Sequence, residues 1–240
     1  MGTIITNDIV GCWDAASPLS YPGSGTTWKS LVGSVDATME ASTSYSSFNK
    51  GCIEFDGSGS DNVVTIADAD LEVTGAFTFS IWVYFTAGVN YTVFQLRGGT
   101  GWGSDAFAMS MLNESWQSHS FRLGCKGDAD DGVTMNRYNA DTYGPENNLN
   151  VWRQYVAVYD GVDRKAASSF KFYFDGVYQA PDTTYSWNST QNGTDWGRDG
   201  TTSDAGLFEG YLGPVLLYSK AFTASEVKEN YVAQRGRFTI

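Results

Sequence analysis

The sequence predicts an all-β fold, a two-layer antiparallel β-sandwich with one short C-terminal helix. Glycine is abundant at 27 residues, and Trp, Tyr and Phe number 8, 14 and 14, which combines turn formers with side chains that suit pleated sheets. Short apolar runs recur along most of the chain, and one segment near the C-terminus carries the start signals of a helix. The runs number about twelve, and that many antiparallel strands avoid a long exposed edge only in a closed or double-layer sheet.

Strands in the first part of the chain are marked by apolar runs between turn residues. The first is Ile9 to Trp13, and a loop rich in Gly and Pro follows it. The next is Gly51 to Asp56, which ends in an Asp-Gly turn signal, and residues 62–66 are its predicted hairpin partner. The segment Phe77 to Phe85 alternates between two faces, which predicts a long, half-buried strand.

Five further strands are predicted in the middle of the chain, at residues 91–98, 106–112, 119–125, 151–161 and 169–179. Residues 126–150 are polar and contain at most one weak strand, around Val133 to Tyr138. Residues 181–207 form another polar, Gly-rich stretch, for which no element is predicted.

The chain closes with an apolar strand and the predicted helix. Residues 207–218 are almost continuously apolar, so this strand is expected to be buried on both faces, with a bulge or bend at Gly213-Pro214. The helix start has the spacing of a capping box and of a hydrophobic staple, carried by Thr223 with Glu226 and by Phe222 with Val227.

Length, charge and cysteine content limit the functions that the chain can have. A chain of 240 residues with 42% hydrophobic residues can form one large domain, predicted to span residues 1–240. The net charge of −12 disfavours nucleic acid as a partner, and no apolar run is long enough to predict insertion into a membrane. Cys12, Cys52 and Cys125 lack metal-site spacing, so free buried thiols are expected.

The closing segment resembles that of laminin-G-like and pentraxin-like domains of the concanavalin A-like lectin-glucanase superfamily. Three further parts of the chain resemble the same family: residues 55–66, residues 77–83, and the strand pair with its Asp175-Gly176 turn. The opening segment resembles that of laminin-G-like proteins in tailed-phage virions. In the closing segment the matching residues are Phe208, Gly210, Tyr218, Phe222 and Glu226. In the strand pair they are Trp152, Val156, Val158 and Val177. In the opening segment they are Trp13, Asp14, Tyr21, Pro22, Gly23 and Trp28. The resemblance implies a jelly-roll topology.

Catalysis is not expected from the sequence. The single histidine, His119, lies within a predicted strand, and the Glu-x-Asp-x-x-Glu string of laminarinase-type relatives does not occur. Glu54 and Asp56 share one face of a strand, but no third carboxylate follows them at the required spacing. The chain is therefore predicted not to be an enzyme, with a laminarinase-type glycoside hydrolase kept as an alternative.

Two kinds of binding site are candidates. Four Trp residues in polar, loop-like surroundings are candidates for binding a ligand such as a sugar: Trp102, Trp116, Trp187 and Trp196. The alternative is that they cap the ends of the sandwich core. The resemblance to pentraxin-like domains implies Ca²⁺ ligands at Asp105 and Asp199, with Asp204 as a further candidate, although turn formation is an equally simple reason for these aspartates.

The resemblance and the composition together predict a non-catalytic recognition or structural module of a phage virion, in capsid decoration or in a tail or fibre. The expected partners are other virion proteins and host-surface carbohydrate, and homo-oligomerisation stays open. The alternative is an extracellular carbohydrate-binding adhesion domain, whose secretion signal would lie outside this sequence.

Overall fold

The fold was analysed in a computed structural model of the chain. The structure describes residues 3–57, 64–66, 75–87, 91–96, 106–114, 117–126, 133–139, 142, 147–163, 166–187 and 208–238. These residues form antiparallel sheets arranged in two layers, with one C-terminal helix, which confirms the predicted fold class. No helix in the described part of the chain has the length and apolar character needed to span a membrane.

An eight-stranded sheet forms the first layer. Its strands follow the order β14-β13-β12-β7-β16-β5-β4, and β1 also pairs with β16. Their bounds are β1 (Ile9–Trp13), β4 (Thr43–Ser46), β5 (Cys52–Asp56), β7 (Phe77–Phe85), β12 (Trp152–Tyr159), β13 (Phe170–Phe174), β14 (Val177–Gln179) and β16 (Glu209–Tyr218).

Two smaller sheets lie over one face of the large sheet, which we call its inner face. The three-stranded sheet has the order β2-β3-β6, and the five-stranded sheet has the order β15-β11-β10-β9-β8. Their bounds are β2 (Thr27–Trp28), β3 (Ala37–Met39), β6 (Val64–Ile66), β8 (Tyr91–Leu96), β9 (Ala106–Glu114), β10 (Gln117–Lys126), β11 (Val133–Asn139) and β15 (Thr183–Trp187).

The main core lies between these layers. Phe79, Ile81 and Val83 of β7 face inward and are fully buried there. Tyr138 of the five-stranded sheet packs against Phe172 of the large sheet, with ring centroids 4.9 Å apart. Alternate residues of a strand point to opposite faces, so the period of two in the sequence places these side chains together.

Part of the outer face of the large sheet is covered by the helix α1 (Ala224–Arg235) and the chain termini. Thr223 caps α1 through the predicted capping box with Glu226. Phe222 and Val227 belong to one buried cluster, as a hydrophobic staple requires. Trp82, on the outer face of β7, donates from Nε1 to Gln234 Oε1 of α1 at 3.1 Å.

The closing strand β16 lies inside the large sheet, as the sequence predicted. It pairs with β7 on one side, and on the other side with β5 through Glu209–Leu212 and then with β1 through Val215–Tyr218. The register shift between Leu212 and Val215 lies at Gly213-Pro214, which confirms the predicted bulge.

The structure differs from the predicted strands in three respects. Residues 64–66 pair with β3 in the three-stranded sheet, whereas β5 pairs with β4 and β16, so the predicted hairpin with residues 51–56 does not form. Strand β7 is buried on both faces, because α1 and Phe238 cover the face that the alternation had suggested would be exposed. Strand β15 also lies in the stretch 181–207, for which no element was predicted.

Candidate functional site

A continuous row of side chains crosses five strands on the outer face of the large sheet. Directly opposed pairs connect Trp152 to Tyr84, Tyr84 to Tyr211, Tyr211 to Glu54, and Glu54 to Ser44. Opposed residues of an antiparallel pair point to the same face, so all five side chains line one surface. We call them the outer row: Trp152, Tyr84, Tyr211, Glu54 and Ser44.

Exposure increases along the outer row. Trp152 is buried, while Tyr84, Tyr211 and Glu54 are half-buried and Ser44 is exposed. Phe238 packs on the buried end, with its ring centroid 4.8 Å from that of Trp152. The exposed end of the row is therefore left accessible at the surface.

Phe48 lies against the outer row and is 38% exposed. Its ring centroid is 5.1 Å from those of Tyr84 and Tyr211, and 6.0 Å from that of Trp152, with which it stacks. These separations lie in the range of favourable aromatic pairs. Phe48, Tyr84 and Tyr211 thus form a closely packed, partly exposed aromatic surface.

Two polar groups of the outer row have unused hydrogen-bonding capacity. The Tyr211 hydroxyl donates to Glu54 Oε1 at 3.2 Å, and within the described residues the Glu54 side chain forms no other hydrogen bond and no ion pair. Burial, together with the neighbouring Glu54 carboxylate, raises the pKa of Tyr211, so the hydroxyl stays protonated and acts as a donor at neutral pH. The Tyr84 hydroxyl has no hydrogen-bond partner in the described part of the chain.

The turn that carries Phe48, residues 47–51, is anchored by Arg237. The guanidinium donates from Nε to the Asn49 carbonyl at 3.0 Å and from Nη2 to the Gly51 carbonyl. Its Nη1 also contacts both carboxylate oxygens of Asp14, at 2.7 and 2.8 Å.

The turn itself has an unusual backbone. Asn49, Lys50 and Gly51 all have positive φ angles, of 46°, 73° and 131°. A side chain at Gly51 would lie 2.5 Å from the Ala15 carbonyl oxygen, so only glycine fits there. Non-glycine residues in this region are held in place by their surroundings, and the Arg237 contacts supply that restraint.

The outer row does not contain the site residues predicted from the sequence. Trp102, Trp116 and Trp196 lie outside the described residues, as do Asp105, Asp199 and Asp204. Trp187 is in β15, where its backbone pairs with Val133, and its side chain is outside the description. Their roles in ligand and Ca²⁺ binding therefore stay predictions. Among the described residues, no group of three or more His, Cys, Asp or Glu side chains could hold a metal ion.

Two features of the sequence relate to the outer row. The alternation over residues 77–85 places Tyr84 on the second face of that strand, and Glu54 is a carboxylate on a predicted strand. Their proximity depends on β16 lying between β7 and β5, which no local pattern reveals.

Comparison with protein families identifies the class of this protein. The model Laminin_G_3, described as the concanavalin A-like lectin/glucanases superfamily, matches residues 57–228. The chain therefore belongs to this superfamily, as its middle and closing segments had indicated, whereas the match does not include the opening segment that resembles phage proteins. A comparison with curated proteins finds no match.

Solved structures with the same fold include an enzyme and toxin binding domains. Trypanosoma rangeli sialidase in complex with sialic acid matches with a TM-score of 0.62 and 16% identity, over 99% of this chain and 35% of the sialidase. The binding domain of botulinum neurotoxin serotype D/C matches with a TM-score of 0.60 and 9% identity, over 95% of this chain and 52% of that one.

A structure of botulinum neurotoxin type C matches with a TM-score of 0.61 and 10% identity, over 95% of this chain and 51% of that one. The cell entry of that toxin is described as dependent on interaction with two ganglioside molecules. The chain thus spans about a third of the sialidase and about half of the toxin chains, and these low identities show a shared fold.

The prediction that the chain is not an enzyme is wrong. Several of the similar structures are sialidases, so this fold occurs within enzymes and does not exclude catalysis. The prediction was wrong because only two catalytic arrangements were considered, one that uses the single histidine and one that uses the carboxylate string of laminarinase-type hydrolases. Function has to be argued from the site itself.

Proposed function

We propose that this protein recognises carbohydrate through the outer row and Phe48. The observation that carries the proposal is a partly exposed aromatic surface beside a carboxylate with free acceptor capacity. A sugar ring presents an apolar C–H face and a rim of hydroxyl groups. Aromatic rings can pack on the apolar face, while a few fixed polar groups orient the ligand.

The superfamily and the similar structures support the proposal. The superfamily is named for lectins and glucanases, and one similar structure contains sialic acid while another concerns ganglioside binding. The rigid setting of the row also favours binding, because side chains already ordered by packing lose little entropy when a ligand binds.

Glycan-array binding and titration calorimetry test the proposal. The wild-type protein should bind at least one oligosaccharide, and Phe48→Ala or Tyr84→Phe should weaken that binding by about tenfold, equivalent to about 1.4 kcal/mol. Tyr178→Ala is the matched control, since Tyr178 is 49% exposed on the edge strand β14, away from the row. The titrated sugars should also be analysed for hydrolysis, which would add catalysis to recognition.

Two results would contradict the proposal. One is an array with no bound glycan for a folded wild-type protein. The other is an equal loss of affinity for the row variants and for Tyr178→Ala, which would place any binding elsewhere on the molecule.

The surface of a tailed-phage particle is the location that we propose for this function. Support comes from the opening segment, which resembles phage laminin-G-like proteins. Three of the residues that carry this resemblance, Trp13, Tyr21 and Trp28, are buried in the core, so they serve the fold and support the location only indirectly. Antibody labelling of purified particles tests this location, and particles free of the protein would exclude it.

Calcium binding at Asp105, Asp199 and Asp204 is a further proposal, supported by the sequence resemblance. Binding to the folded state at about a hundred times Kd would add about 2.7 kcal/mol of stability. Calorimetry should then show a higher Tm in Ca²⁺ than in EGTA, and Asp105→Ala or Asp199→Ala should abolish the shift. Asp182→Ala, at an exposed aspartate outside the candidate set, should keep it. An equal Tm of the wild-type protein in Ca²⁺ and in EGTA would contradict the proposal.

A further inference from the structure

We infer that the outer row selects neutral glycans and disfavours glycans that end in a carboxylate sugar such as sialic acid. This inference rests on the proposed function, since it names the ligand class of the same site. It separates this chain from the similar structure that holds sialic acid, with which it shares the fold.

Three carboxylates lie on the outer face of two neighbouring strands. Glu54 is opposite Tyr211 in the row, and two residues along each strand Asp56 is opposite Glu209. Residues two apart on a strand share a face, so Glu54, Asp56 and Glu209 all point to the side of the row. Glu209 Oε1 accepts from the Thr86 hydroxyl at 3.2 Å.

Two of these charges, on Glu54 and Glu209, lack a paired cation in the described part of the chain. Arg237 anchors the turn beside the row, but its donors are taken up by Asp14 and by the carbonyl groups of Asn49 and Gly51. Its side chain is only 14% exposed, so its planar fork is unavailable to a ligand carboxylate.

Lys50 is the exposed cation of the same turn. Its flexible side chain carries one positive charge against the carboxylates of Glu54 and Glu209. The described part of the site is therefore negative, in keeping with the net charge of −12 for the whole chain.

A ligand carboxylate at this site would meet the half-buried carboxylates of Glu54 and Glu209, which form no ion pair in the described residues. Like charges at short range repel, and the repulsion is stronger near a protein surface than in bulk water. A neutral sugar avoids this cost, and its hydroxyl groups can donate to Glu54, as the Tyr211 hydroxyl already does. Because the penalty is electrostatic, salt should screen it.

Matched pairs of oligosaccharides test the inference, each pair consisting of a neutral glycan and its sialylated form. Affinities are measured for the wild type, for Glu54→Gln and for Glu229→Gln, at low salt and at about 1 M salt. Glu229 is exposed on α1 and its side chain has no hydrogen bond or ion pair in the described residues, so it controls for net charge alone.

The wild type should bind the neutral member of a pair more tightly, by about tenfold at low salt. Glu54→Gln should reduce this preference several-fold while keeping the acceptor for Tyr211, and Glu229→Gln should leave it unchanged. High salt should narrow the preference by improving the binding of the sialylated member.

The outcomes separate the inference from the function on which it rests. Equal or tighter binding of sialylated members, with binding still lost in Phe48→Ala, would overturn the neutral-glycan inference and keep carbohydrate recognition. A preference that Glu54→Gln does not change would also overturn it. If the protein bound no oligosaccharide of any pair, both the inference and the proposed carbohydrate recognition would be contradicted.

Discussion

Arg237 shows how one residue can order a surface that it does not form. Its guanidinium connects the C-terminal segment to Asp14 and to the turn that carries Phe48, across 223 positions of sequence in the Asp14 contact. The planar guanidinium group forms all of these hydrogen bonds simultaneously, which the ammonium group of a lysine could not do. The position of Phe48 against the outer row therefore depends on this residue.

Replacing Arg237 should reduce both stability and binding. Arg237→Ala leaves the Asp14 carboxylate and two carbonyl groups without this donor, at a cost of about 2 kcal/mol in the free energy of unfolding. Urea unfolding measures the cost, and Arg237→Lys should restore only part of it. If Phe48 forms the binding surface, the affinity for glycan should fall as well.

Arg235→Ala is the matched control for this prediction. Arg235 is exposed in the last turn of α1, with its guanidinium 6.0 Å from the Tyr231 ring, and its loss should cost less than about 0.5 kcal/mol. Equal costs for the two variants would show that the Arg237 contacts contribute no special stability.

At the residue scale, the sequence predicted chemistry that stays within short segments. The capping box of Thr223 and Glu226 was predictable because its two residues lie three positions apart. The pairing of Glu54 with Tyr211 was not, since the two residues are 157 positions apart and meet only through strand order. The candidate Trp and Asp residues were chosen for their polar neighbourhoods, a criterion that selects loops and misses half-buried strand positions.

Among the elements, β16 determines how the outer row is assembled. It holds Tyr211 between Tyr84 and Glu54, and it changes partner from β5 to β1 at the bulge. At Gly210, the neighbour of Tyr211, the φ angle is 147° and an added Cβ would lie 2.0 Å from the Tyr84 carbonyl oxygen. The close approach of β16 and β7 at this point therefore requires glycine.

Gly210→Ala should strongly destabilise the protein. The methyl group would force β16 away from β7 next to the row, with an expected cost of about 3 kcal/mol or more in the free energy of unfolding. Gly236→Ala is the control, because φ there is −64° and nothing lies within 4 Å of the added Cβ. Thermal unfolding of both variants measures the difference, and similar Tm values would contradict the close approach of the two strands.

The errors in strand prediction have a common cause at this scale. The alternation in β7 fixed its bounds, Phe77–Phe85, but could not reveal that α1 would cover its second face. The run at residues 62–66 was assigned to β5 because they are neighbours in sequence, while the sheets pair β6 with β3. Period and turn signals are local, whereas coverage and pairing depend on distant parts of the chain.

In the molecule as a whole, the large sheet carries apolar clusters on both faces. One face builds the core shared with the smaller sheets, and the other is partly covered by α1, Phe238 and the N-terminal segment. Cys12 and Cys52 lie in the outer clusters as buried free thiols, as predicted, while the Cys125 side chain lies outside the description. Burial raises the pKa of Cys12 to about 11 and of Cys52 to about 12, from an ordinary value of 9.0.

These buried thiols should make the fold sensitive to alkaline pH. Below about pH 9 the thiols are protonated in both the folded and the unfolded chain, and their contribution to stability is fully present. Above that value the unfolded thiols ionise while the folded ones stay protonated, so stability falls as pH rises toward the folded pKa values. Between about pH 8 and about pH 10 the expected loss from Cys52 is about 1 kcal/mol in the free energy of unfolding.

Urea unfolding across this pH range measures the loss, with Cys52→Ala as the comparison. The variant is expected to be less stable at neutral pH, because a buried side chain is truncated, but its stability should fall less steeply above about pH 9. Cys12, Cys125 and the tyrosines are present in both proteins, so their contributions cancel in the difference of slopes. Identical slopes would mean that the Cys52 thiol ionises as readily in the folded chain as in the unfolded one, and that the outer face is open to solvent at this position.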